Sequence, residues 1–251
     1  MILMPIPNHD FDPTETAIPW KILTSKGYQI EFATPDGKLG EADPIMLTGK
    51  GLGVWKKILM AREDAIAAYS EMKASKSFQN PKTYNSIRVS DYEGILLPGG
   101  HAKRMKDYLE SSILQKFVGE FFLTGKPIGA ICHGVVLAAR SKNPETGKSI
   151  LFLKKTTALL NSQEMTAYNL TRIWMGNYYL TYPEITVQNE IKSVLSHPSQ
   201  FIEGPSPIFR DSEKNLDRGF SLRDGNYLSA RWPGDAYNFS GAFINMLIEK
   251  D

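Results

Sequence analysis

The most informative segment of the sequence runs from Lys126 to Arg140 and reads KPIGAICHGVVLAAR. Its apolar first part predicts a short buried strand, and the residues from Val135 onward predict a helix. Cys132 lies at the corner between the two, at the helix N-terminus, where the helix dipole favours a thiolate. Gly129 and Gly134 bracket the corner, as a tight elbow with close backbone approach requires. We therefore expect a nucleophile elbow and a depressed pKa for the Cys132 thiol.

Cys132 is the only cysteine of the chain. A lone cysteine in an apolar run is often no more than a small buried hydrophobic residue. The adjacent His133 favours a function instead, because a neighbouring imidazole can activate a thiol. A single cysteine also excludes an intramolecular disulfide and fits a reducing compartment, so we expect a cytoplasmic protein.

Bulk composition excludes several classes of function. The 251 residues are 42% hydrophobic and 22% charged, which is ordinary for a globular protein. The net charge of +2 is too small to indicate a nucleic-acid partner. The N-terminal segment does not resemble a signal peptide, and apolar runs are too short for a membrane span. The four histidines are scattered without ligand spacing, so we expect no metal and no other cofactor.

Hydrophobic periodicity along the chain predicts alternating strands and helices, which is typical of an α/β fold with a mostly parallel sheet. We predict strands at 2–6, 28–34, 94–97, 126–131, 156–160 and 227–230. We predict helices at 13–24, 55–60, 64–72, 108–122, 135–139, 161–174, 186–195 and 236–249, and a polar loop at 209–223. The glycines at 49–53 match neither the dinucleotide-binding nor the P-loop spacing, so we interpret them as a surface loop.

Four separated motifs point to one family. They are Asp12–Glu15 (DPTE), Leu97–His101 (LPGGH), Ala130–Gly134 (AICHG) and Arg231–Asp235 (RWPGD). Together they resemble the ThiJ/PfpI superfamily, within the class I glutamine amidotransferase-like fold. The resemblance implies one flavodoxin-like three-layer sandwich over residues 1–251, with insertions at about 40–90 and 165–220 that add helical segments near the cleft.

The resemblance also implies site residues. Cys132 matches the nucleophilic or redox-active cysteine, and Glu15 matches the acid beside the thiol. Gly100 and His133 match the positions whose main-chain N–H groups form the oxyanion hole. For Glu15 the alternative is a capping box with Asp12 at the start of the first helix.

We expect further pocket residues from their positions in the chain. Gly99 and Gly100 follow a buried strand and suit N–H groups aimed at a ligand, although an ordinary tight turn is the alternative. His101 is expected at the mouth. The aromatic run contributes Trp174, Tyr178 and Tyr182, which we expect to restrict the cleft to small substrates.

The acid that would orient His133 is not evident from the sequence. Glu164 follows the predicted strand at 156–160 and is our first candidate. Asp235 is the second, and its alternative role is to cap the last helix. Without an acid at His133 the triad is incomplete and peptidase-like chemistry becomes doubtful. The absence of a late His-x-Glu pair argues against glutamine hydrolysis.

Two functions are compatible with these sequence features. The first is a cofactor-free enzyme in which Cys132 attacks a small carbonyl substrate, which the resemblance specifies as glyoxalase III-like or deglycase-like chemistry. A hydrolase or amidase is a further enzymatic option. The second is a non-enzymatic stress protein, either a cysteine redox sensor or a holding chaperone. We expect a small-molecule substrate, no nucleic-acid or membrane partner, and a homodimer as one option.

Overall fold

The computed structural model describes residues 1–249. Its strands are β1 Ile2–Pro5, β2 His9–Phe11, β3 Ile30–Thr34, β4 Glu41–Ala42, β5 Lys82–Thr83, β6 Gly94–Leu97, β7 Ile128–Ile131, β8 Ser221–Asp224 and β9 Tyr227–Ala230. Its α-helices are α1 Pro13–Ser25, α2 Pro44–Thr48, α3 Lys56–Leu59, α4 Glu63–Ala74, α5 Lys76–Gln79, α6 Lys106–Leu109, α7 Ser112–Phe122, α8 Gly134–Arg140, α9 Asn161–Met175, α10 Val187–Val194 and α11 Ala236–Ile248.

Seven strands form one central sheet in the order β5-β3-β1-β6-β7-β9-β8. Neighbouring strands are parallel except for the edge pair β8–β9, which is antiparallel. The short strands β2 and β4 pair separately in a two-stranded parallel sheet. The predicted flavodoxin-like α/β fold is therefore confirmed. Its parallel strands end at one edge of the sheet, which is where such folds place their sites.

Four central strands, β1, β6, β7 and β9, are buried along their whole length. Helices cover both faces of a parallel sheet, which is why these strands are continuous apolar runs. On the helical layers, α1 contacts α4 and α11, while α8 contacts α6, α7 and α10. A side chain at Gly129 would come within 2.9 Å of the Phe239 ring, so α11 lies directly on β7.

Several predicted elements differ from the structure. The predicted strand at 156–160 is wrong: Thr156 makes only an isolated bridge to Phe201. The main chain of this segment does not pair with β9. Instead, the Thr157 N–H donates to the side-chain hydroxyl of Ser229 on β9. The predicted helix at 108–122 is two helices, because Ser111 caps a new helix by accepting the Leu114 N–H.

The predicted loop at 209–223 contains the first residues of β8. This edge strand is partly exposed and polar, so its sequence lacks the apolar residues that indicate a strand. The short pair β2–β4 was also not predicted. In the part of the chain that the structure describes, no helix combines the length and apolar character needed to cross a membrane.

Candidate active site

The turn between β7 and α8 forms the predicted elbow, and Cys132 occupies its corner. The φ angle of Cys132 is 56°, in the left-handed region that costs a non-glycine residue roughly 1–2 kcal/mol. The elbow is held from β9, because the Cys132 N–H donates to the Ala230 carbonyl at 3.1 Å. A Cβ on Gly134 would lie 1.9 Å from the Leu97 carbonyl oxygen. The helix therefore starts in direct contact with the end of β6, and only glycine fits there.

Glu15 projects from the first turn of α1 toward this elbow. Asp12 alone caps the helix, since its Oδ1 accepts the N–H groups of Thr14 and Glu15 at 2.8 and 3.0 Å. The Glu15 carboxyl does not complete a capping box; its Oε2 accepts the Gly99 N–H at 3.0 Å. The side chain is buried, and its Oε1 has no hydrogen-bond partner among residues 1–249. The carboxyl faces the Cys132 thiol.

Burial controls the protonation of this pair. It raises the pKa of Glu15 well above its ordinary value, and the nearby Asp12 carboxyl raises it further. Burial likewise raises the pKa of the Cys132 thiol, and the charges of Glu15 and Asp12 act in the same direction. The predicted depressed pKa of Cys132 is therefore wrong. The helix dipole and the His133 N–H favour the thiolate, but desolvation and two carboxyl groups outweigh them.

His133 is buried and makes two polar contacts with its ring. Its Nδ1 lies 3.5 Å from Cys132 Sγ, and its Nε2 lies 3.0 Å from Thr181 Oγ1. The Thr181 hydroxyl donates its single proton to the His101 carbonyl at 2.6 Å. Thr181 must therefore accept from His133 Nε2–H, which leaves Nδ1 unprotonated toward the sulfur. Burial lowers the pKa of His133 to about 3, so its imidazole is neutral at physiological pH.

Neither candidate acid reaches His133. Glu164 lies at the cavity on α9, and its Oε2 accepts the Val187 N–H at 2.9 Å. Burial raises the pKa of Glu164 to about 7. Asp235 forms a buried ion pair with Arg231, with 2.9 Å between Oδ2 and Nε. Among residues 1–249 the partner of the His133 Nε2 is Thr181, a hydroxyl that no sequence pattern singled out.

The loop after β6 lies against both the thiol and Glu15. A Cβ on Gly99 would approach Glu15 Oε2 to 2.6 Å and the His133 nitrogen to 2.7 Å. Gly100 has a φ of 152°, and a Cβ there would lie 2.6 Å from the Asp10 carbonyl oxygen. Both glycines are thus required by close backbone approach. The main-chain N–H of His133 faces the sulfur, and Gly100 and Cys132 line the same cavity.

The elbow opens into a cavity of about 390 Å³. Residues of both predicted insertions and of the first turn of α9 line it. We call this set the roof: Met46, Ile58, Leu59, Ser162, Gln163, Glu164, Thr166, Ala167, Leu170, Tyr179, Pro207, Ile208 and Arg210. His101 also lines the cavity, and its ring stacks on Tyr179 with 4.5 Å between centroids. Within the described residues, no group of three or more His, Cys, Asp or Glu side chains is placed to hold a metal ion.

The aromatic residues named from the sequence lie outside the cavity lining. Trp174 is half exposed, and its Nε1 donates to the Gly51 carbonyl. The Tyr178 hydroxyl donates to Asp43 Oδ2 at 2.5 Å. Tyr182 accepts from Arg140 and donates to Glu110. None of these three side chains lines the cavity, whereas their neighbour Tyr179 does.

Comparison with known proteins places this geometry in a family. A family model described as ThiJ/PfpI family-like matches residues 6–205. The glutathione-independent glyoxalase hsp3102 of Schizosaccharomyces pombe is 28% identical over 153 residues, covering 60% of this chain and 60% of that protein. Glyoxalase 3 of Candida albicans is 25% identical over 154 residues, again covering 60% of each chain. The similar segment thus spans about 60% of the length of these relatives.

Solved structures agree on the fold. The crystal structure of glyoxalase III from C. albicans superposes with a TM-score of 0.65 at 18% identity, covering 98% of this chain and 97% of that one. The Rapid Encystment Protein of 24 kDa from Francisella tularensis superposes with a TM-score of 0.71 at 17% identity and covers 98% of each chain. These likenesses concern the fold, while the family model covers most of the sequence. The chain therefore belongs to the ThiJ/PfpI-like family.

Proposed function

We propose that this protein is a glutathione-independent glyoxalase, which converts a 2-oxoaldehyde and water into a 2-hydroxy acid. The observation that carries the proposal is the buried Glu15 carboxyl beside Cys132, with one oxygen held by Gly99 and the other without a partner. Such a carboxyl can take a proton from a carbon bound to the sulfur and return it to the next carbon. The names of the relatives support the same chemistry.

The first step is attack of the Cys132 sulfur on the aldehyde carbon of the substrate. The S–C bond forms, the C=O π bond opens, and the thiol proton moves to the former aldehyde oxygen, giving a hemithioacetal. The His133 N–H and the Gly100 N–H stabilise the oxygen while it carries negative charge. The unprotonated Nδ1 of His133, 3.5 Å from the sulfur, is the nearest base for the thiol proton. Because the pKa of His133 is about 3, its imidazole does not keep this proton and passes it on to the substrate oxygen.

The second step is an internal oxidation and reduction. Glu15, as a carboxylate, removes the proton of the former aldehyde carbon, and the electron pair of that C–H bond forms an enediolate whose negative charge lies on the former ketone oxygen. The hydroxyl proton of the hemithioacetal moves to that oxygen, and Glu15 returns its own proton to the former ketone carbon, which is reduced while its neighbour becomes the carbonyl carbon of a thioester. Water hydrolyses the thioester, releasing the 2-hydroxy acid and the Cys132 thiol. One substrate carbon is oxidised and its neighbour is reduced by the same two electrons, so the reaction needs no external oxidant or reductant.

The other functions fit this geometry less well. A hydrolase or amidase would use His133 as a lasting base held by an acid, but its Nε2 contacts Thr181 and burial opposes the imidazolium. A redox sensor reacts through a stable thiolate, whereas burial raises the pKa of the Cys132 thiol and disfavours that form.

The test is turnover of methylglyoxal by the purified protein without glutathione, measured as lactate formed. We expect lactate from the wild type and none above background from Cys132→Ser. Parallel incubation with a methylglyoxal-glycated amine measures deglycase-like release. Absence of lactate from the wild-type protein, with the fold verified by circular dichroism, would contradict the proposed function.

A further inference from the structure

We infer that Arg210 is an anion-binding residue and that the substrate carries a carboxylate in addition to its reacting carbonyl. The inference rests on the proposed function and specifies its substrate class. Arg210 lines the cavity that contains Cys132. It is the one Lys or Arg side chain among the cavity-lining residues that the structure describes.

The guanidinium of Arg210 retains donors for a ligand. Its Nη2 donates to the carbonyls of Ile58 and Leu59, at 2.9 and 3.4 Å, at the end of α3. Among residues 1–249, Nε and Nη1 have no hydrogen-bond partner, and no carboxylate forms an ion pair with this side chain. A planar guanidinium with free donors suits a carboxylate, which can accept two parallel hydrogen bonds.

The surroundings fix the position of this side chain before any ligand binds. Its Cζ lies 5.6 Å from the centroid of the Trp232 ring, and its Cγ would be 3.0 Å from a Cβ on Gly234. The next residue is held on both sides: the Asp211 N–H donates to the Gly234 carbonyl, and the Asp211 carbonyl accepts from Arg62. Little conformational entropy is therefore lost when an anion binds.

The charges around the cavity leave this cation weakly compensated. Asp12 influences Arg210 through space, but its Oδ1 is occupied by two N–H groups of α1. Burial favours the neutral form of the other two cavity carboxyls, Glu15 and Glu164, and the neutral form of His101. Arginine keeps its charge in proteins, so an anionic ligand gains attraction at Arg210.

The size and apolar character of the cavity favour a carboxylate on a short aliphatic chain. A volume of about 390 Å³ is far more than three-carbon methylglyoxal occupies and lies in the range of sites for larger ligands. Met46, Leu59 and Leu170 provide apolar walls between polar groups. One cation matches a monoanion, whereas a phosphate dianion would call for further donors.

The kinetic test uses 4,5-dioxopentanoate, a 2-oxoaldehyde with a terminal carboxylate, and its neutral methyl ester. We expect the wild type to favour the acid over the ester by about 10- to 100-fold in kcat/KM, the size of one charge-assisted interaction. Arg210→Met, which keeps the aliphatic stem, is expected to remove this preference mainly by raising KM for the acid. Arg210→Lys, which keeps the charge but not the planar fork, is expected to retain part of it.

Arg172→Met is the matched control. Arg172 lies on α9, the helix that supplies several cavity-lining residues, but its own side chain lies near the Tyr168 ring and does not line the cavity. It is expected to leave the acid-to-ester preference intact. The inference is overturned if the wild type shows no preference for the acid, or if Arg210→Met lowers kcat/KM equally for acid and ester.

A binding measurement separates this inference from the proposed function. Titration calorimetry of 4-oxopentanoate and of inorganic phosphate into Cys132→Ser, with and without Arg210→Met, needs no turnover. Binding of 4-oxopentanoate that is lost with Arg210→Met supports the anion site even if no 2-oxoaldehyde is converted. Equal binding in both proteins, or preference for phosphate, contradicts the carboxylate assignment.

Discussion

The elbow and the roof meet at one cavity but are built in different ways. The elbow consists of main chain at the ends of buried parallel strands, and it contains positions where a single added carbon would overlap a carbonyl oxygen, as at Gly134. The roof consists of side chains from α2, α3, α9 and two loops, and some of them, such as Ile58 and Ile208, are 62% and 72% exposed. Backbone geometry thus fixes the positions of the reactive groups, while side chains that can be replaced determine which substrates enter the cavity. Substitutions in the elbow should therefore lower kcat, and substitutions in the roof should change substrate selectivity.

The largest expected effect is the loss of the reacting groups. Cys132→Ser should lower kcat for methylglyoxal by about 10³-fold or more, because a neutral hydroxyl is a much weaker nucleophile. Glu15→Gln should lower it by about 10²-fold or more, since the amide cannot exchange a proton with carbon. Glu164→Gln is the matched control, a buried carboxyl of the roof that should cost far less. Equal losses for the two glutamate variants would contradict the division between elbow and roof.

Next is the effect of an added methyl group on stability. Gly134→Ala places a carbon 1.9 Å from the Leu97 carbonyl oxygen, so α8 must move away from β6. We expect a loss of about 3 kcal/mol or more in the free energy of unfolding, measured by urea denaturation. Gly241→Ala, in a helix with nothing within 4 Å of the new carbon, should gain about 0.5–1 kcal/mol instead. A loss of stability well below about 3 kcal/mol in Gly134→Ala would mean that the elbow can shift to accommodate a side chain.

The dependence of activity on pH follows from the raised pKa of Glu15. Its carboxylate is the form that removes a proton from carbon, and burial together with Asp12 keeps it protonated to higher pH than an ordinary glutamate. Below that raised pKa, kcat/KM should therefore climb about tenfold per pH unit as pH rises. The profile should persist in Glu164→Gln, whose carboxyl has a pKa of about 7 in the wild type. A wild-type profile that is flat down to pH 5 would exclude Glu15 as the base.

A smaller effect is expected at the positioning residue Thr181. Thr181→Val removes the hydroxyl that accepts His133 Nε2–H, so the imidazole can turn or change tautomer. We expect about a tenfold loss in kcat with little change in KM, and recovery with Thr181→Ser. Thr171→Val is the control, because this buried hydroxyl donates only to the Ala167 carbonyl of its own helix. Failure of serine to restore kcat would assign Thr181 a packing role.

The smallest expected effect belongs to the roof. Leu170→Ala enlarges the apolar wall without touching Cys132, so KM for methylglyoxal should change by about threefold and kcat by less. Steady-state kinetics with methylglyoxal and a longer-chain 2-oxoaldehyde measures both. If kcat falls as far as in Glu15→Gln, the roof takes part in the chemistry and is not confined to selectivity.

The sequence predicted the parts of the site that local patterns determine. The strand–Cys–helix pattern at 126–140 predicts an elbow, and the glycines at 99–100 predict a close backbone approach. The structure contains both features. The role of Glu15 was predicted from the family resemblance, and the local alternative, a capping box with Asp12, is wrong because the Glu15 carboxyl accepts the Gly99 N–H instead. The pKa of Cys132 did not follow, because it depends on burial and on two carboxyls that reach it from α1.

Long-range partners were beyond the sequence pattern. Thr181 reaches His133 from a loop 48 residues away, and a threonine in an aromatic run carries no local sign of that contact. Arg210 lies in a stretch whose polarity suggested only a surface loop, although its side chain lines the cavity. Tyr179 rather than Tyr178 or Tyr182 faces the cavity because the chain direction there is set by packing, which composition does not encode.

The two edges of the seven-stranded sheet bear on how copies of this protein can associate. One edge, β5, is only the two residues Lys82–Thr83. The other edge, β8, presents charged side chains, and Arg223 is paired with Glu249, the residue that follows α11. Short and charged edge strands are poor templates for strand addition. Growth of the sheet from molecule to molecule, whether into a continuous dimer sheet or a fibril, is thereby disfavoured, and a dimer would have to form through helices or loops.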